Sequence, residues 1–396
     1  MATPTETAFV TDPAQLDRLG PEWAVLEARD PLHPLCVAQD YFAAWRRNFG
    51  DGVRCGVVTL RRGGSLIAAM PVMVGRCWRG PALSVRFDFH PADGQFMREK
   101  PKFRCLPVNQ LSPPLSVESG NLRGGYLADP AEDDAAVWRG LVAGLARTPN
   151  WSFGIFPIPI AQAAKRLAPL EKGPVTGFVR KSDRKFYSCT RIRPWEQIVK
   201  DMSHNARKNI NRATRRAEEA GLRHVLFEGP EALETGFRHL AEIAELSWKA
   251  SGRERSPIHV PYTERQRSFY QSLGAGGSGH VRPVIFSLFQ GDRCQAVALT
   301  VRSGQRLTGG VTCYAPEIAA LYPGRQMVQA MMGWCDANGI KWFDFNATDT
   351  WVEPFSDLSE EYGQLVLFNR RPYSRLLHAA ARRFGAGAAD TAQSPA

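Results

Sequence analysis

Apolar and polar positions alternate along residues 53–74, VRCGVVTLRRGGSLIAAMPVMV, around a short polar tip that carries glycine. Alternation of period two puts every second side chain on one face, so the segment predicts strand, glycine turn, strand. The pattern returns without a gap at residues 281–302, VRPVIFSLFQGDRCQAVALTVR, at a constant offset of 228 positions. Val53 and Arg54 match Val281 and Arg282, Leu60 matches Leu288, Gly63 matches Gly291, and Ala68 matches Ala296. So long a period predicts two related domains rather than a solenoid, whose units are far shorter.

The elements around each hairpin repeat in order. In the first half, helical spacing predicts helices over 12–29 and 38–48 ahead of the hairpin, and a strand over 83–90 after it. Residues 90–125 are rich in Pro and Gly and predict a long irregular excursion. A helix over 131–147 and a short buried strand from Trp151 to Phe156 complete this half. The second half predicts a helix over 203–221, a strand over 223–228, and helices over 230–250 and 262–273. The hairpin and a strand over 305–314 follow. Next comes a helix from Gly324 to Asn338, with Met327, Met331 and Trp334 on one face, and a strand over 340–345. Trp151 and Trp342 stand 191 apart, so the first copy holds about 37 extra residues, which the excursion supplies. The GAGAADTAQSPA tail predicts disorder. Helices flanking an antiparallel hairpin, with a strand returning beside the sheet, make an α+β class with a mixed central sheet.

Composition narrows the class. With 396 residues, 44% hydrophobic and 22% charged, the chain has material for two ordinary cores. No apolar run is long enough to span a bilayer, and MATPTETAFVTDPAQ has neither a basic start nor an apolar stretch, so a cytoplasmic protein is expected. Eight cysteines stand singly, with no zinc spacing, and no metal is expected. The formal charge of +11 favours nucleic acid, a phosphorylated cofactor or an anionic membrane face, and does not choose among them.

Three segments carry a family resemblance: SHNARKNINRATRRAEEAGL (203–222), AEIAELSWKASG (241–252) and LYPGRQMVQAMMGWCDANGIKWFDFN (321–346). In order and spacing they resemble the CelD/BcsL-type GNAT acyltransferases, related to the FemAB peptidyltransferases. The shared pattern is a Ser before an Arg-rich helix ending in Glu-x-Gly and a Trp-Lys pair closing a helix. A Pro-Gly helix start and a strand ending in Asp-Phe-Gly follow. The resemblance covers roughly 190–368, with a looser match in the first half. Asn346 stands where the pattern often has Gly, and its later Tyr-Lys pair is not evident after Tyr362. The resemblance implies tandem GNAT-like domains: 1–185 as a degenerate acceptor-side domain, 190–385 as the acyltransferase domain, and 386–396 as a tail.

The candidate residues follow from both readings. At Tyr322-Pro323-Gly324-Arg325-Gln326 a helix start offers backbone N–H groups and a positive dipole end to a phosphate or thioester oxygen; the alternative is a plain turn into an amphipathic helix. His204, Lys208, Arg212 and Arg215 or Arg216 share one helix face, suited to coenzyme A phosphates or to a tRNA, or else simply solvated. Trp248, Lys249 and Glu245 line an acceptor cleft or, alternatively, end a helix structurally. Asp344, a carboxylate in an apolar strand, is either structural or a general base, with Asn346 and Asp349 at the same rim. Tyr314 and Tyr362 are proton donors to a leaving thiolate or core residues. Gly274–Gly279 matches GxGxxG but precedes a strand, so it predicts a linker.

The expected function is direct transfer of an acyl group from acyl-coenzyme A to an amine or hydroxyl of a small molecule, glycan or peptide. Asp344, Glu245 and Tyr362 are the catalytic candidates. Tyr322, Gly324, Arg325, Gln326, Lys208 and Arg212 are the donor-binding candidates, and Trp248, Lys249 and Asn346 the acceptor-binding ones. The alternatives are an aminoacyl-tRNA-dependent transferase and a non-catalytic adaptor whose site has decayed.

Overall fold

In the computed structural model the two echoing hairpins turn on glycines of matching conformation, Gly63 at φ 57° and Gly291 at φ 58°. Only glycine enters this left-handed region without a steric cost, which is why both tips keep it. Both hairpins also carry a register shift beside the turn, at Leu60/Arg61 and at Cys294/Ala296. Residues 4–79, 106–114, 124–171, 173–247, 264–275, 279–346 and 350–385 are described.

The chain forms two compact units. One gathers residues up to Lys185 with Glu360 onward, and the other holds Phe186–Ser359. In the first unit, strand β1 (Thr5–Val10), helix α1 (Pro13–Arg29) and helix α2 (Gln39–Phe49) precede the hairpin β2 (Arg54–Arg62) and β3 (Ser65–Arg79). Strands β4 (Leu106–Ser112) and β5 (Leu127–Ala128), helix α3 (Asp134–Arg147), strand β6 (Phe153–Pro159), helix α4 (Ala163–Leu167) and the start of β7 (Val175–Arg191) follow. The sheet order is β1-β2-β3-β4-β6, antiparallel except for the parallel pair β4–β6. On one face α3 packs Trp138, Leu141, Val142 and Leu145 against Val58, Leu60, Met70 and Val72.

The second unit repeats the order. Helices α5 (Trp195–Asp201) and α6 (His204–Glu219) lead into β8 (Leu222–Phe227), α7 (Pro230–Leu246) and α8 (Glu264–Gly274). The hairpin β9 (Val281–Gln290) and β10 (Arg293–Ser303), then β11 (Arg306–Tyr314), α9 (Pro323–Ala337) and β12 (Trp342–Asp344) complete it. Its order is β8-β9-β10-β11-β12, again with one parallel pair, β11–β12. Phe286 meets Trp334 of α9 edge-on at 5.8 Å, whereas its neighbour Ile285 faces Gly236 of α7. Since adjacent strand residues point to opposite faces, α9 and α7 cover opposite sides of this sheet.

Each sheet then gains a sixth strand from the far repeat's end of the chain. Strand β13 (Leu358–Asn369) pairs antiparallel with β6, Tyr362 to Phe368 opposite Pro159 to Phe153, and helix α10 (Pro372–Gly385) follows it. Residues 189–191 of β7 pair antiparallel with β12 in the second unit. This corrects the expected 190–385 domain, because residues from Glu360 onward belong to the first unit. The cause is burial: Leu365 and Leu367 enter the α3 core, while Val366 and Phe368 join Phe153, Ile155 and Leu377 on the other face.

Local composition misled at β4, which lies inside the Pro/Gly excursion. Pairing on both edges, with β3 and β6, overrides the weak strand propensity of LPVNQLS. Strands β1, β7 and β13 and helices α5 and α10 carried no expectation. The strand expected over 83–90, residues 276–278 of the Gly-rich linker and the 386–396 tail lie outside the described residues. Among the described residues no helix is long and apolar enough to cross a membrane.

Candidate active site

In the second unit the parallel ladder registers Arg306, Leu307 and Thr308 with Trp342, Phe343 and Asp344. There β12 ends, while β11 continues to Tyr314. The chain then turns through Pro316–Leu321 into the start of α9. The carboxyl ends of adjacent parallel strands, topped by a helix N-terminus, form the usual crevice for a ligand in a mixed sheet.

Asp344 is 3% exposed and stands at that rim. Its neighbour Phe343 is in the core under α9, so Asp344 projects to the α7 side. Its Oδ2 receives Arg306 at 3.4 Å, and its Oδ1 accepts the Asn346 N–H at 2.9 Å. The second bond closes an Asx turn and holds Asn346 at φ 48°. This accounts for the departure from the Gly of the family pattern: the position is left-handed, and Asn is among the side chains that tolerate it best. The Thr308 hydroxyl, paired in register with Asp344, is buried and has no hydrogen-bond partner among the described residues. Neither Arg306 nor Thr308 was singled out from the sequence, although a charge and a hydroxyl in the strand RLTGGVTCY were the visible signal.

Helix α9 begins without a side-chain cap. Its N-cap, Tyr322, sits at φ 54° and ψ 54°, and Pro323 at the first position brings no N–H. The Arg325 guanidinium lies 4.9 Å from the Tyr322 ring centroid, which folds its charge back over the helix start. Gln326 is buried, and its N–H and that of Arg325 reach the Tyr322 carbonyl. The Gly324 N–H, the dipole end and one guanidinium thus converge, a combination that attracts anions.

Helix α6 packs beside α9 through Ile210, Ala213 and Ala217, with Thr214 reaching Gln329 at 3.5 Å. That apolar stripe turns His204, Arg207, Lys208, Arg212, Arg215 and Arg216 to solvent. Arg212 bonds Asn209 at 3.0 Å and Arg215 pairs with Glu219 at 3.5 Å, leaving most of the positive face for an external partner.

Glu245 is exposed on the last turn of α7, the helix on Asp344's side of the sheet. Trp248, Lys249 and Asp349 lie outside the described residues. Tyr362 belongs to the first unit, where it is 7% exposed on β13 opposite Pro159 and lines a cavity of about 470 Å³ with Trp138, Tyr126 and Arg166. Tyr362 therefore does not share a unit with Asp344. In that cavity Arg166 is held by Tyr126 at 2.6 Å, Gln162 at 2.9 Å and Asp134 at 3.0 Å. Burial, and then the neighbouring Asp134, hold the Tyr126 hydroxyl well above its ordinary pKa.

Residues 204–357 match the family of acetyltransferase (GNAT) domains. The match begins on α6 and takes in α9, β12 and the Asp344 rim. Among solved structures, FemX is similar at 12% identity and a TM-score of 0.57, covering 94% of this chain and 99% of its own. A conserved protein of unknown function from Bacteroides thetaiotaomicron is similar at 8% identity and a TM-score of 0.51, covering 92% and 100%. A tandem GNAT protein from the clavulanic acid biosynthesis pathway covers 92% and 98% at 10% identity and a TM-score of 0.46. No curated protein matches the sequence. The expected class, a mixed sheet flanked by helices in a GNAT-like fold, is the fold found. The CelD/BcsL subtype rests on the sequence motifs alone.

Proposed function

We propose that the second unit binds acyl-coenzyme A at the start of α9 and transfers the acyl group directly to an amine or hydroxyl of a small molecule, glycan or peptide. The observation that carries this reading is the uncapped, arginine-flanked helix start inside the segment that matches the GNAT domain. Gly324 and Arg325 hold the pyrophosphate, with Tyr322 and Gln326 shaping the turn, while Lys208 and Arg212 on α6 meet the outer phosphates. The acceptor's lone pair attacks the thioester carbonyl, the C–S bond breaks, and the proton leaves with the thiolate or through a nearby base. Catalysis of this kind comes from positioning and from N–H donors aimed at the developing oxyanion.

In this reading Asp344 is a positioning residue, because both its oxygens are engaged in holding Arg306 and the Asn346 turn. Glu245, with Trp248 and Lys249, is assigned to the acceptor side, and Glu245 is the candidate base. Calorimetry with coenzyme A tests the proposal. Binding that weakens about tenfold in Arg325→Ala is expected; no binding, or binding indifferent to that change, sinks it.

A second reading is carried by the exposed basic face of α6: an aminoacyl-tRNA donor in place of acyl-coenzyme A. It predicts tRNA binding that falls steeply with salt and is lost in Lys208→Ala/Arg212→Ala. Mass spectrometry of ligands retained through native purification separates the two donors.

A further inference from the structure

Helix α10 (Pro372–Gly385) presents a face that neither core absorbs. Ser374, Leu377 and Ala381 point inward, and the ring of His378 stacks on Phe368 at 4.7 Å. Opposite them, Arg375, Ala379, Arg382 and Arg383 are exposed, together with Leu376 at 65% and Tyr373 at 41%. Arg370 and Arg371 just before the helix are exposed too. The segment 370–385, RRPYSRLLHAAARRFG, holds five arginines and no acidic residue. Arg370, Arg371, Arg375 and Arg382 form no ion pair with any described residue, whereas the exposed Arg29, Arg215 and Arg223 do.

On a helical wheel Leu376 lies near the middle of this outward face, with Arg375 and Arg382 on one flank and Tyr373 on the other. Tyr373 is anchored by its hydroxyl, which donates to the Pro107 carbonyl at 2.9 Å, so the ring stays on the surface. The other basic helix, α6, differs: its exposed positions carry only polar and charged side chains. A purely polar basic face suits phosphates in water. Arginines interleaved with an exposed Leu and Tyr suit a surface that is anionic outside and apolar just beneath.

We propose that the outward face of α10 docks the protein on an anionic phospholipid bilayer, its arginines on the headgroup phosphates and Leu376 and Tyr373 in the upper acyl region. This assignment is independent of the donor site in the second unit.

Co-sedimentation of the full chain with lipid vesicles tests it. Binding to phosphatidylglycerol vesicles should exceed binding to phosphatidylcholine vesicles by about tenfold or more and fall in high salt. Arg375→Glu/Arg382→Glu should lower it about tenfold, and Leu376→Asp severalfold, with circular dichroism unchanged because these side chains are exposed. Arg139→Glu/Arg238→Glu, the same change in net charge on exposed arginines elsewhere, should leave it intact. The proposal is overturned if the wild type ignores both vesicles, or if the control pair weakens binding as much as the α10 pair. It is equally overturned if Leu376→Asp has no effect, or if tRNA displaces the protein from the vesicles and its own binding is abolished by the α10 pair.

Discussion

The two units open the same crossover helix in opposite ways. In the first, Asp133 caps α3 by accepting the Ala136 N–H at 2.8 Å, and Asp134 in the first turn is bound by Lys165 and Arg166. In the second, Tyr322 gives α9 no side-chain cap, and the first turn carries Arg325 and no acid. A helix start already satisfied by its own carboxylate repels a phosphate, and an uncapped one beside a guanidinium receives it. The strands beneath differ in the same sense. Two residues after its Trp, the first repeat has Phe153, fully buried, and the second has Asp344 with its Arg306 partner. The first copy thus sets an apolar ring at the strand position where the second carries a carboxylate paired with a guanidinium.

Four experiments would break or sharpen this contrast. Phe153→Asp should cost about 4 kcal/mol or more, because the apolar cluster around Phe153 offers a carboxylate no partner. Urea unfolding reads it, and a tolerated substitution would mean the two strands do not differ in environment. Asp344→Ala should cost about 3 kcal/mol by leaving Arg306 without its carboxylate and the Asn346 turn open. Asp344→Asn, which keeps the turn bond, should cost less.

The third concerns Glu27, which burial pushes up to about 7 against the Gln39 N–H bond, with the Asp40 charge also raising it. The folded state then holds this proton more tightly than the unfolded chain, whose value is near 4.5. Stability should therefore fall by about 3 kcal/mol as pH rises from about 4.5 through 7. Glu27→Gln should flatten that slope in melting temperatures taken between pH 5 and 8. An unchanged slope would remove Glu27 from the account. The smallest effects probe the helix starts directly. Asp133→Ala should cost about 1 kcal/mol, whereas Tyr322→Gly should be neutral or stabilise by up to about 1 kcal/mol as left-handed strain is relieved. Equal losses at both positions would end the contrast.

Much of this was legible along the chain because its causes are local. The hairpins announced themselves through period-two alternation and the glycines their tips require. Helices α6, α7 and α9 followed from 3.6-residue spacing, and the special start of α9 from its Pro-Gly-Arg. Asp344 stood out as a charge among aromatics. Its partner did not, since Arg306 is brought to it by parallel pairing across 38 positions. Tyr362 illustrates the converse. Near Asp344 in sequence, it was grouped with it, yet the apolar run it begins is drawn into the other unit's sheet.

The sequence by itself determined the two repeats, their internal order and the inequality of their helix starts, because periodicity, turn conformation and capping depend on neighbours within a few residues. Only the tertiary structure decided that β13 completes the first sheet and the end of β7 the second. Local propensity cannot distinguish which strand edge a buried apolar strand will find. That choice belongs to backbone pairing and side-chain burial between segments 151 to 215 residues apart, and it is also what placed Tyr362 in the first unit.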